Sequence, residues 1–231
     1  MCGGCRLKAS GRGQMPPQAR MTHTSMLIVP SSSVRGGSGG LQIRLLGGLQ
    51  LLVHDAPIKF AAPLKAAALL GYLIVKRSRI MPRDAIAFAL WPDEEEGKAR
   101  ANLRRHIALL QHVLPASDPP AILADQRSIR WNSDFDPIVD VCEFERLSAK
   151  PDGAPAAVAL YGGDLLPAVY DDWLMTERER LRMLQSANLE RLTEAYRRDG
   201  DYPNAIGTGR MLLDHDPWRE DNRATDYDAA V

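Results

Sequence analysis

The chain has 231 residues, 45% hydrophobic and 25% charged, with 29 Lys/Arg balanced by 29 Asp/Glu. This is an ordinary composition for a soluble globular protein with room for one or two domains and a tail. It excludes a membrane-spanning class, because no apolar run approaches the roughly 20 residues that cross a bilayer. LQIRLLGGLQLLV is broken by Arg44 and two glycines, and PLKAAALLGYLIVK reads as a buried helix.

Overall neutrality conceals a gradient. Residues 1–40 hold five Lys/Arg and no acid, residues 41–133 hold 13 against 8, and residues 134–231 hold 11 against 21. A basic front and an acidic back suggest a polyanion-facing module joined to a second unit. Residues 1–40, rich in Gly, Ser, Arg and Pro, show no sustained period and read as a disordered tail. Cys2 and Cys5 form a lone CxxC without a second pair, and Cys142 is isolated. That pattern predicts no metal site and fits a reducing cytoplasm.

From Leu41 the chain alternates apolar and polar residues, predicting strands in LQIRLLG and LQLLVHD on either side of Gly47-Gly48. A turn is expected at Asp55-Ala56-Pro57 and a third strand at Ile58–Phe60. Pro63 opens a helix over Leu64–Lys76 whose buried side is Leu69, Leu70, Leu73 and Ile74. Arg77–Ile80 is a connector, and Arg83–Leu90 is a second helix buried through Ile86, Ala89 and Leu90. Trp91-Pro92 stops it, Asp93–Gly97 is an acidic loop, and a third helix runs from Lys98 to Leu114. Ala121–Ala124 and Ser128–Trp131 form a hairpin around Asp125-Gln126-Arg127. Beyond Asp140 the pattern is helical: Val141–Ser148, Ala154–Tyr161 ended by Gly162-Gly163, a long helix Asp172–Asp199 broken at most once, and Tyr202–Asp214. The last two resemble one tetratricopeptide-like hairpin. Tyr161, Tyr170 and Trp173 read as core, and Asp171, Asp172, Glu177 and Glu179 as solvated or N-terminal helix charges.

The third helix carries the most information. Leu103, Ile107, Leu110 and Leu114 share one face. Arg105 and His112 point away from it, flanked by Lys98 and Arg104, so a helix that packs by one side presents cations on the other. Such a helix fits a DNA major groove, where arginine donates two hydrogen bonds to guanine. Lys98, Arg100 and Arg104 suit phosphate contacts, with an Arg100–Glu96 bridge as the competing use of Arg100. Asn102 either caps a helix or touches DNA. His112 is either a DNA contact or a partner of the helix dipole. Arg127 and Arg130 on the hairpin either reach a groove or its phosphates or are plain solvated residues. His106 and His112, six apart, do not make a metal pair. No nucleophile–base constellation, no GxxxxGK[ST] phosphate loop and no cofactor motif is present, so an enzyme is not expected.

Taken together, RLLGGLQL, AALLGYLI, RDAIAFALWPDEEEGKARANLRRHIALLQHVL and SIRWN resemble the OmpR-type winged helix. VDVCEFERL, LYGGDLLPAVYDDWLMTERERLR, RRDGDYPNAI and DHDPWRED resemble the bacterial transcriptional activator domain. In this order they resemble the SARP family of bacterial regulators, over Leu41 to about Asp221. The resemblance implies an α+β winged helix-turn-helix over 41–133, then an all-α tetratricopeptide-like domain over 134–231. It implies a cytoplasmic, sequence-specific activator that binds double-stranded DNA and self-associates on direct repeats; the Asp93–Glu96 loop either stabilises the N-terminus of the third helix or, as its place in the OmpR-type domain implies, touches RNA polymerase. The alternative is a protein-interaction module acting through the helical domain. Leu109 and Gln111 depart from the family, standing where relatives often carry arginine. NRATDYDAAV offers no further helix pair, so the helical domain reads as curtailed.

Overall fold

The computed structural model describes residues 40–118 and 120–216. The tail, the CxxC pair and the sequence from Pro217 onward, including NRATDYDAAV, lie outside them.

β1 (Leu41–Arg44), β2 (Gln50–Val53) and β3 (Ala56–Ile58) form an antiparallel meander. The turn between β2 and β3 is His54-Asp55, both at positive φ, and not Asp55–Pro57 as the sequence suggested. Two consecutive left-handed residues give the type I′ geometry whose twist matches a tight hairpin, and Asx residues tolerate it. Pro57 consequently sits inside β3 opposite Leu52, tolerated because β3 is the sheet's edge.

α1 (Leu64–Val75) follows Pro63 and buries Ala66 through Ile74 without interruption. α2 (Arg83–Leu90) buries Ile86, Ala87 and Leu90, while the expected Ala89 is only half buried. α3 (Glu96–Val113) starts two residues earlier than expected, so the last acid of the loop becomes its first turn, where negative charge suits the helix dipole. Leu103, Ile107, Leu110 and Leu114 are buried as predicted. β5 (Ile122–Ala124) and β6 (Ser128–Trp131) make the expected hairpin. A two-residue strand that the sequence did not betray, β4 (Met81–Pro82), joins β6 and makes a three-stranded wing sheet. A second such strand, β7 (Ile138–Val139), lies parallel to β1 and completes the first sheet in the order β3-β2-β1-β7.

α4 (Asp140–Ser148), α5 (Ala154–Leu160), α6 (Asp172–Arg198) and α7 (Tyr202–His215) complete the chain, and α6 runs 27 residues unbroken. α6 and α7 pack as an antiparallel hairpin, joined by Gly200 at positive φ. Winged-helix and helical elements share one apolar core that runs from Ile43 and Leu69 to Phe144, Leu174 and Leu181.

The seam between them is built from polar groups as well. The buried Asp140 carboxylate accepts the backbone N–H groups of Leu45 (2.9 and 2.8 Å) and Leu46 (2.8 Å), which leave β1 with no strand partner to bond. Burial pushes this carboxyl above the ordinary aspartate range, against the pull of those donors. The two Gly-Gly pairs meet here. Gly47 donates to the Asp164 carbonyl at 2.9 Å, and a Cβ at Gly47 would stand 2.5 Å from the Gly162 oxygen. Gly71 lets α1 approach equally closely, since its Cβ would fall 2.6 Å from Leu166 Cδ1. Buried Arg178 donates to the carbonyls of Leu165, Leu166 and Val169 at 2.5–2.8 Å and so holds the 165–169 segment.

Ion pairs close the seam along α1. Lys65 meets Asp171 at 2.5 Å and Lys76 meets Glu177 at 2.6 Å. Arg180 bridges Glu177 and Glu145, and Arg77 reaches Glu145 at 3.1 Å. Glu177 is therefore a buried, doubly paired residue and not the solvated charge its sequence suggested. Burial alone would raise its carboxyl, but hydrogen bonds from Lys76 and Arg180 outweigh it and hold the group below the ordinary glutamate range. Tyr170 is a second correction, 88% exposed where core was expected, whereas Trp173 packs edge-on against Tyr72 at 5.0 Å between ring centres.

Two predictions follow from the seam. Asp140→Ala strands three buried N–H groups, those of Leu45, Leu46 and Val141, and lowers unfolding free energy by about 2–4 kcal/mol, measured by urea denaturation. For Glu177, a depressed folded pKa means stability that is present above the unfolded value and lost as pH falls through the folded one. The stability deficit of Glu177→Gln is thus full near neutrality and shrinks once the pH drops below about 4.3, the unperturbed glutamate value.

Candidate nucleic-acid interface

α3 lies against α1 and α2, and its rotation is set by Ala99, Leu103, His106, Ile107 and Leu110, all buried. At about 100° per residue, Arg105 and His112 fall within roughly 20° of the direction opposite Leu103. Lys98, Arg104, Arg105 and His112 are exposed, as are Ala101 and Ala108 between them. The inner edge of this face is held by His106, whose ring lies 5.0 Å from Trp91 and whose Nδ1 is 2.7 Å from the Asn102 carbonyl oxygen. That contact requires the proton on Nδ1.

The wing is tied to the same scaffold. Asp125 accepts the N–H groups of Arg127 and Ser128, both at 2.7 Å, and the Ser128 hydroxyl at 2.7 Å. These donors, the Ser128 hydroxyl first, hold its carboxyl below the usual range. At the tip, Arg83 at the start of α2 donates its backbone N–H to the Arg127 carbonyl (3.0 Å) and its guanidinium to the Asp125 carbonyl (2.6 Å). Arg127 is left exposed on a turn anchored to α2, the helix that also carries α3, and Arg130 is exposed on β6 beside it.

The sequence-derived residues divide clearly. Among the described residues, Lys98, Arg104, Arg105, Arg127 and Arg130 have no ion-pair partner, while most guanidiniums of the seam and helical half do. Arg100 is exposed but engaged, by Asp84 at 2.7 and 2.9 Å and by Glu96 at 2.5 Å. Asn102 is half buried inside α3, six residues beyond the helix start, so the capping alternative is closed. His112 lies in the last turn of α3, exposed. Asp84 and Arg83 escaped the sequence reading. They lie 16 and 42 residues from the groups they hold, and no local pattern encodes such contacts.

No group of three or more His, Cys, Asp or Glu among the described residues is arranged to hold a metal ion. No helix among them is long and apolar enough to cross a membrane. Cys142 is partly buried, and burial raises its thiol to about 11.

Comparison with known proteins gives three findings. Residues 139–229 match the bacterial transcriptional activator domain. The transcriptional regulatory protein EmbR of Mycobacterium tuberculosis, and that of Mycobacterium bovis, is 33% identical over 86 residues, 36% of this chain and 22% of theirs. The chain thus spans less than a quarter of the length of these relatives. The solved structure of Mycobacterium tuberculosis EmbR in complex with a low-affinity phosphopeptide superposes with a TM-score of 0.66 at 21% identity, over 79% of this chain and 52% of that one. This likeness bears on the fold: a winged helix followed by a helical region.

If the outer face of α3 is a surface and not a support, its cations are dispensable for folding. Arg104→Ala and Arg105→Ala should each leave unfolding free energy within about 0.5 kcal/mol, while Leu103→Ala costs about 2–5 kcal/mol in the same denaturation assay.

Proposed function

We propose that this chain, which matches the bacterial transcriptional activator domain over residues 139–229 and is similar to EmbR, is a transcriptional regulator of the SARP type that binds double-stranded DNA in a sequence-specific manner and activates transcription. α3 enters the major groove, Arg105 reads a guanine edge, Arg104 and Lys98 neutralise phosphates, and Arg127 and Arg130 on the wing meet the backbone or the adjacent minor groove. The observation that carries this reading is the outward face of α3, where exposed cations without carboxylate partners lie opposite a fully buried leucine stripe.

Activation is assigned to the connection between α2 and α3. Phe88 is 62% exposed there beside Glu94 and Glu96, an apolar anchor with an acidic rim that suits a contact with RNA polymerase. The helical half supplies self-association on repeated sites. A second reading, a protein-interaction module, is favoured by Met175, Met183 and Met211, all exposed on α6 and α7, because exposed methionine suits adaptable partner surfaces.

The test is fluorescence anisotropy with duplexes selected from a random-sequence pool. Sequence-preferring binding that weakens linearly in log–log salt plots is expected. Arg105→Ala should cost about 1–3 kcal/mol of discrimination at one base pair. Retention of sequence preference by that variant, or no binding at low salt, would refute the DNA reading. Partner capture that depends on Met175 and Met183 with no DNA binding would establish the second.

A further inference from the structure

Resting on the DNA-binding reading above, we propose that Arg100 is a positioning residue that fixes α3 on α2 and does not contact the DNA backbone. Sequence alone grouped it with the phosphate contacts, since it is a cation on an exposed helix face. Its surroundings differ from those of its neighbours. The guanidinium grips Asp84 of α2 through two parallel hydrogen bonds, Nε to Oδ1 at 2.7 Å and Nη2 to Oδ2 at 2.9 Å. The same Nη2 meets Glu96 Oε1, one turn back along α3, at 2.5 Å.

A planar fork on a planar carboxylate fixes direction as well as distance. Apolar packing sets the rotation of α3, and small residues such as Ala87 and Ala99 line the α2–α3 groove beside this ion pair. Arg100 therefore adds a directional tie between α2 and the N-terminal part of α3 to the placement that core packing sets. Its charge is already spent, because one guanidinium faces two carboxylates. Asp93, Glu94 and Glu95 are exposed at the same end of α3, so a phosphate brought to Arg100 would also approach an acidic turn. Arg104 and Arg105, on the next turn, have no carboxylate partner among the described residues. The cationic footprint on α3 is thus Lys98, Arg104 and Arg105, and Arg100 stands outside it.

The bridge is solvent-exposed, at 48% for Arg100 and 53% for Asp84, so its effect is moderate. Anisotropy titrations over a range of salt, on the duplex recovered by selection, separate the two roles. Arg100→Gln should weaken binding by at most about five-fold, with the log–log salt slope unchanged. Arg104→Gln should lower the slope magnitude by about 0.9, one phosphate's worth. The charge-swapped double variant, Asp84→Arg with Arg100→Asp, should return affinity to within about two-fold of the unmodified protein, since neighbours in one ion pair are non-additive. Thermal unfolding of each variant verifies that it is folded.

If Arg100→Gln flattens the salt slope by as much as Arg104→Gln, and the swap binds more weakly than either single change, Arg100 touches phosphate and the assignment is overturned. Absence of binding by the unmodified chain overturns the DNA reading and this assignment together. That failure is recognisable because it appears before any substitution is made.

Discussion

Burial of Leu103, Ile107 and Leu110 against α1 and α2 fixes the rotation of α3 about its own axis, and the functional reading depends on that one constraint. Each of those leucine and isoleucine side chains is worth roughly 1.5–3 kcal/mol when fully buried. An α3 turned by half a revolution would exchange that stripe for Lys98, Arg105 and His112, placing charges in an apolar core. The cost of such a burial is prohibitive. The outward display of arginine is therefore a consequence of core packing and needs no contact of its own to sustain it.

α1 makes the same logic continuous across the molecule. It is buried along nearly its whole length because it has two clients: α2 and α3 on one side, and the Leu166–Trp173 region of the helical half on the other. Small residues, Ala66 to Ala68 and Gly71, allow both approaches. Asp140, Arg178 and the Glu177 cluster then satisfy many of the polar groups that this close approach removes from water, while Trp173 Nε1 and Asp171 Oδ2 are buried there without a partner. The two halves accordingly share a core, and β7, beyond the boundary read from sequence at 133/134, adds to the first sheet. The region that matches the activator domain and the exposed cationic face of α3 thus sit on one scaffold.

What could be read from the sequence was what repeats with a period. The 3.6-residue stripe of α3, the alternation in β1, and the wing hairpin around Asp125 all follow from local pattern and turn chemistry. β4 and β7 have two residues each, too few for any period, and exist because β6 and β1 offer unpaired edges. The His54-Asp55 turn was displaced by the attention that Pro57 draws, although an edge strand accommodates proline. Tyr170 and Glu177 were misread for opposite reasons. An aromatic near a helix start looks like core, and a glutamate in a charge-rich run looks solvated, yet Glu177 is paired with Lys76 at the end of α1, a hundred residues away. Of the site residues, Arg105 could be recognised from its phase alone, while the engagement of Arg100 required knowing where Asp84 lies.

The most direct examination of the central claim is a titration of the isotopically labelled full chain with its selected duplex, followed residue by residue through backbone amide NMR shifts. The account predicts that the largest changes fall on Ala101, Arg104, Arg105, Ala108 and His112, with a second group at Arg127 and Arg130. Changes confined to α6 and α7, with the amides of α3 unmoved at saturating duplex, would contradict it.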